Sequence, residues 1–152
     1  MKKYFLLFSL LILGISSCKK DSFDAAKQAA ADDAAIKTYI AANNIDATKD
    51  PSGVYYQVLI PGTGPYPTIN SSVNVNYNGK LLNGTVFAPL SSLTSSLTTL
   101  IKGWQIGIPY INTGGRILLI IPSGLGYGNN PSGSIPANSV LVFTIDLLSF
   151  SN

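Results

Sequence analysis

Apolar positions along this chain change their period near residue 51. Before that point the stretch 19–44, KKDSFDAAKQAAADDAAIKTYIAANN, is rich in alanine and has no internal glycine or proline, which predicts a helix. Asp21 or Ser22 is placed to cap its start, and Asn43 or Asn44 to end it. Ile36, Tyr39 and Ile40 stand at i, i+3 and i+4 and form a short apolar face, suited to docking on the domain or on a twin helix. So small a face favours a spacer over a dimer helix.

From Pro51 onward the period is that of strands. VYYQVLI (54–60) is a β-branched and aromatic run, and PGTGPYP after it is dense in turn residues. VNVNYNGKL then alternates, with Val73, Val75 and Tyr77 on one face and Asn74, Asn76 and Asn78 on the other. LNGT carries an Asn-Gly turn signal before VFA, the start of another extended piece, and the Ser/Thr run at 91–99 is locally biased. LIKGWQIGIPYI has room for about two helical turns before Pro109 cuts the hydrogen-bond ladder. RILLII and SVLVFTIDLLSF are the strongest strands, separated by the long loop PSGLGYGNNPSGSIPAN. Several strands, one short helix and no βαβ alternation predict an α+β domain over 51–152 with an antiparallel sheet, preceded by a helical spacer over 19–50.

The first eighteen residues, MKKYFLLFSLLILGISSC, have a basic start, an apolar run and small residues before the only cysteine. That layout is a secretory signal, too short for a membrane span of about 20 residues. LGISSC resembles a bacterial lipobox, which implies that Cys18 becomes the lipidated first residue of the mature chain and its membrane anchor. Lys19 beside it, in place of a retention aspartate, then directs the protein to the outer membrane, facing the periplasm or the cell surface.

Charge removes further classes. Of the formal +3, Lys2 and Lys3 in the leader supply two, leaving +1 on scattered side chains, so no phosphate-tracking stripe for nucleic acid is expected. All seven acids are aspartates and only Asp146 lies beyond residue 51, in a stretch with no histidine. Paired-carboxylate, Ser-His-Asp and metal-assisted hydrolysis therefore lack their parts, and neither a metal nor another cofactor is expected. GLGYG follows a proline and leads to no helix, so it is not a dinucleotide loop.

Rotation about an X-Pro bond is compatible with that poverty, because it transfers no net proton and needs apolar walls more than charges. Tyr77, Phe87, Trp104, Tyr127 and Phe143 are available as such walls, although aromatics on strands also serve as ordinary core. The motifs SGVYYQVLIPGTGPYP, VNVNYNGKLLNGTVF, LIKGWQIGIPYINTGGRILLIIP, GYG and SIPANSVLVFTIDLL, in this order over 52–150, resemble the FKBP-type peptidyl-prolyl isomerases. The resemblance covers about two thirds of the chain. It implies a twisted antiparallel sheet wrapped around one short helix, with unfolded or proline-containing polypeptides as partners.

Carried over by motif, the resemblance makes Trp104 the floor of a proline pocket and Tyr77, Phe87, Leu100, Ile101, Ile135 and Phe143 its walls. Tyr127 would donate its hydroxyl to a substrate carbonyl, and the Ile101 N–H would hold another. Leu100 replaces the family's common valine. Ala88 stands where the family carries aspartate, and the segment between Phe87 and Trp104 is short and lacks the usual aromatic pair. These departures imply slower catalysis and weaker macrolide binding, or a module that holds proline-containing segments with little turnover.

Overall fold

The computed structural model describes residues 23–152. The leader call, Cys18 and the candidate caps Asp21 and Ser22 lie outside the described residues.

The strand-forming runs build one six-stranded antiparallel sheet. Its strands are β1 (Thr48–Lys49), β2 (Tyr55–Ile60), β3 (Ser72–Leu81), β4 (Val86–Ser96), β5 (Arg116–Ile121) and β6 (Leu141–Ser151), in the spatial order β1-β2-β5-β6-β3-β4. Alternation assigns the two faces. Ile117, Leu119 and Ile121 of β5 join Leu141, Phe143, Ile145 and Leu147 of β6 in the main core, while Ile120 and Val142 turn to the opposite face. Asp146 is on β6 and accepts two bonds from Arg116, at 2.6 and 3.0 Å, well suited to pairing across two strands.

The Ser/Thr run forms no loop but the greater part of an eleven-residue edge strand. β4 pairs with β3 from Val86 to Ser96, and Ser92 Oγ donates to Asn76 Oδ1 at 2.6 Å. Serine and threonine suit this place because Leu90, Ser92 and Thr94 face solvent, while Leu93 packs on the core. Long-range pairing here outweighs composition.

α2 (Lys102–Gly107), continued by a 3-10 turn at Ile108–Tyr110, lies against the core face of the sheet. It sits flush because Gly103 and Gly107 face Ile121 and Leu119 so closely that neither leaves room for a Cβ. Beyond the helix, Tyr110 stacks on Tyr56 at 4.0 Å and donates its hydroxyl to Asp50 Oδ2 at 2.6 Å. That acceptor, together with burial, pushes the Tyr110 phenol up to about 12.

α1 (Ala25–Ala42) covers the other face. Asp24 is its cap, accepting from the N–H groups of Ala26 and Lys27, and Asn43 ends it. The stripe of Ile36, Tyr39 and Ile40 meets Tyr55, Ile120, Val140 and Val142, so this face docks on its own domain. With β1 also joined to the sheet, residues 25–49 are packed onto the strands that follow rather than held away from them.

Asp33 fastens this packing, binding Lys37 at 2.7 Å and Lys49 at 2.5 Å and accepting the Tyr55 hydroxyl at 2.7 Å. These three partners hold its carboxyl well below the usual carboxylate range. A depressed folded-state value stabilises above the unfolded carboxylate value of about 4 and is lost as pH falls through the folded one. Thermal melts of the native chain and of Asp33→Asn are therefore expected to differ at pH 7 and to converge on acidification below about pH 4. A constant gap down to pH 2 would contradict this role for Asp33.

Candidate functional site

Between α2, the β3–β4–β6 end of the sheet and the loop following β5 lies a cavity of about 350 Å³. β3 supplies Tyr77, β4 supplies Phe87 and Ala88, and β6 supplies Phe143. Leu100 and Ile101 enter from the extended segment that leads into α2, Trp104 from α2 itself, and Tyr127 and Ile135 from the loop. All nine pocket residues expected from the sequence line this one cavity. Leu93, Ser132, Gly133 and Ser134 complete the lining and were not among them.

The rings hold one another edge-on. Trp104, 4% exposed, meets Tyr77 at 5.0 Å and Phe143 at 5.2 Å between ring centroids, with interplanar angles of 81° and 87°. Phe87 meets Phe143 at 5.4 Å and 80°. Such edge-to-face contacts match the positive rim of one ring to the negative face of the next and orient the walls beyond what burial alone would do. The indole Nε1–H is buried and has no partner among the described residues.

Two groups that position the lining were missed. Gly79 of β3 pairs with Ala88 on one side and Phe143 on the other, and a Cβ there would fall 2.5 Å from the Phe87 ring and 2.8 Å from that of Phe143. A glycine inside a strand pattern signals such a close approach. Gln105, 8% exposed, donates from Nε2 to the Leu100 carbonyl at 2.7 Å, while its Oε1 accepts from Lys102 Nζ at 3.2 Å. This fixes the segment whose Ile101 carbonyl starts the helix by accepting from the Trp104 N–H at 3.0 Å. The Ile101 N–H has no acceptor of its own among the described residues.

The loop is built from backbone bonds. Ser132 and Ile135 exchange two at 3.0 and 2.9 Å around Gly133, whose φ of 55° belongs to the left-handed region. Tyr127 is 40% exposed at the cavity mouth.

No carboxylate, amine, imidazole or thiol lines the cavity, and Ala88 adds a methyl group. The arrangement can desolvate an apolar ring and offer a few hydrogen-bond donors, but it supplies no general base or nucleophile stronger than a hydroxyl.

A family model described as FKBP-type peptidyl-prolyl cis-trans isomerase matches residues 64–148. The FKBP-type peptidyl-prolyl cis-trans isomerase FkpA of Buchnera aphidicola is 43% identical over 110 residues, which are 69% of this chain and 44% of that protein. The chain spans less than half the length of the first curated relatives it matches. The crystal structure of FkpA from Escherichia coli superimposes with a TM-score of 0.71 at 34% identity, over 83% of this chain and 62% of that one. A peptidyl-prolyl cis-trans isomerase of Pseudomonas syringae gives 0.68 at 29% identity, over 86% and 98% of the two chains.

Proposed function

We propose, because this chain belongs to the FKBP-type peptidyl-prolyl cis-trans isomerases, that its cavity receives a proline ring over Trp104 and accelerates rotation of the preceding peptide bond. The observation that carries the reading is the cage itself: Tyr77, Phe87, Trp104 and Phe143 meet mostly edge-on around a space that no ionised group lines. Amide resonance sets a barrier of roughly 20 kcal/mol and makes the planar bond more polar than the twisted one. Transfer from water to apolar walls therefore disfavours the planar state more than the twisted state. The Ile101 N–H and the Tyr127 hydroxyl serve as donors that hold carbonyl groups of the bound segment, with Leu100 and Ile135 closing on its sides.

Cis/trans relaxation of X-Pro peptides is the test. The purified protein is expected to exceed the uncatalysed rate, with a rate constant that stays level between pH 6 and 8 because the lining holds no carboxylate, imidazole, amine or thiol. Relaxation at the uncatalysed rate, with folding verified by circular dichroism, would refute the reading. Ala88→Asp restores the family's carboxylate and is expected to raise kcat/KM or macrolide affinity, while no change in either would mean that the pocket differs by more than this residue.

Ala88 also favours a second reading, in which the cavity holds proline-containing segments with little turnover. Peptide binding that is lost in Trp104→Ala, alongside turnover far below that of ordinary family members, would select it. In either reading the clients are unfolded or newly exported polypeptides. Cys18 anchors the domain in the cell envelope by lipid, and intact-mass measurement of the membrane fraction checks the anchor.

A further inference from the structure

Asp32 is the only carboxylate buried among the described residues, 3% exposed beneath the loop that carries Tyr127. Its Oδ1 accepts from Gln28 Nε2 at 2.8 Å, within α1. Its Oδ2 accepts twice from Ser123, from the N–H at 2.8 Å and from the hydroxyl at 2.6 Å, across 91 residues of sequence. Ser123 is itself 1% exposed and opens the 3-10 turn Ser123–Leu125.

What Ser123 does with its remaining polar group links this contact to the cavity. Its carbonyl accepts from the N–H of Gly126 at 3.0 Å and from the N–H of Gly128 at 2.8 Å. Tyr127 lies between those two glycines. Gly126 has φ −107° and ψ −113°, and Gly128 has φ 64°, conformations that glycine adopts without side-chain bias to hold it there. The tyrosine backbone is thus bracketed by two hydrogen bonds to one carbonyl, and the residue bearing that carbonyl is held by a buried carboxylate in α1. The carboxyl is 3% exposed and takes these three donors from Gln28 and Ser123, so burial and its hydrogen bonds hold it in place together.

We propose that Asp32 is a positioning residue for Tyr127, so that the N-terminal helix sets the placement of a hydroxyl at the mouth of the isomerase cavity. The proposal rests on the isomerase reading for its effect on rate, but the anchoring itself has a readout that does not. Asp32→Ala leaves the Ser123 N–H and hydroxyl without an acceptor, releases the Gly126 and Gly128 brackets and lets Tyr127 wander.

The experiment measures kcat/KM for an X-Pro peptide and amide exchange at Gly126 and Gly128, in the native chain, Asp32→Ala, Tyr127→Phe and the double variant. Asp32→Ala is expected to lower kcat/KM about five- to tenfold, the worth of one well-placed hydrogen bond. In the Tyr127→Phe background the same change should cost less than about twofold, since the hydroxyl it places is gone. A merely structural aspartate would cost the same in both backgrounds, and that result would overturn the proposal. Amide exchange at Gly126 and Gly128 should speed up in Asp32→Ala at a temperature where both chains are folded. If the native chain shows no catalysis, the isomerase reading falls and exchange decides the anchor: unchanged rates at both glycines overturn it. Where Asp32→Ala fails to fold, Ser123→Ala, which removes only the 2.6 Å bond, is put through the same cycle and read by the same two outcomes.

Discussion

Trp104→Ala is expected to lower kcat/KM for X-Pro peptides by roughly 10- to 100-fold, the value of the apolar contact proposed between a proline ring and Trp104. It is also expected to destabilise the fold by about 3–5 kcal/mol, the usual range for removing a buried tryptophan. Both follow from the same placement. The indole is 4% exposed, its edges meet Tyr77 and Phe143, and the turn of α2 that carries it is pressed on β5 through Gly103 and Ile121. Trp104→Phe separates the two effects: it retains an apolar ring against its neighbours but loses the breadth of the floor and the unpartnered Nε1–H. The activity loss should therefore exceed the stability loss in that variant. Urea titration of each chain gives the stability, and relaxation kinetics at a denaturant concentration where all are folded gives the activity. Wild-type turnover in a folded Trp104→Ala chain would show that the ring binds elsewhere.

Legibility from sequence divides according to whether a feature is local. The Val-Asn alternation of 73–78 forces one buried and one wetter face, and β3 has that pattern. The alanine-rich helix follows from propensity, and its stripe of Ile36, Tyr39 and Ile40 is plain in the spacing. What lies opposite that stripe is decided by Ile120 and Val142, some hundred positions away on strands whose alternation leaves residues on both faces. A sheet with two buried faces needs a second cover. The continuous apolar runs of β5 and β6 carried that information, since a strand wet on one side would alternate.

The start of the edge strand β4 at VFA was legible, but its continuation through the Ser/Thr run was not, for the same reason. Serine has no strong preference of its own for a strand, and eight paired positions opposite β3 settle the matter. In the cavity, the aromatic set was legible only through motif order, because spacing alone does not distinguish a cage from a core. Gln105 and Asp32 carry no such signal individually, and the glycine inside the strand pattern at 79 signals a close approach without naming its partner: each acts through a bond or a close approach that the spacing does not reveal. The absence of a carboxylate in the cavity, by contrast, was readable at once from a stretch with a single aspartate, and that residue pairs with Arg116 on the sheet.

Gly79 shows how narrowly the cage is built, and Gly79→Ala is expected to cost about 1–3 kcal/mol in stability and roughly tenfold in kcat/KM. The glycine is fully embedded in the sheet between Ala88 and Phe143, so the backbone cannot move aside without breaking two ladders. A methyl group there falls 2.5 and 2.6 Å from two atoms of the Phe87 ring and 2.8 Å from Phe143. Aromatic carbons do not approach so closely, so one ring must rotate. Phe87, half-buried on the edge strand, yields more readily than the buried Phe143, and its displacement opens the wall beside Ala88. Gly124→Ala is the control, since its Cβ meets nothing within 4 Å and its backbone is not left-handed. That chain should melt and turn over as the native protein does. A Gly79→Ala chain that matches it in both measurements would mean that the edge-on packing of Phe87 on Phe143 contributes nothing to the shape of the site.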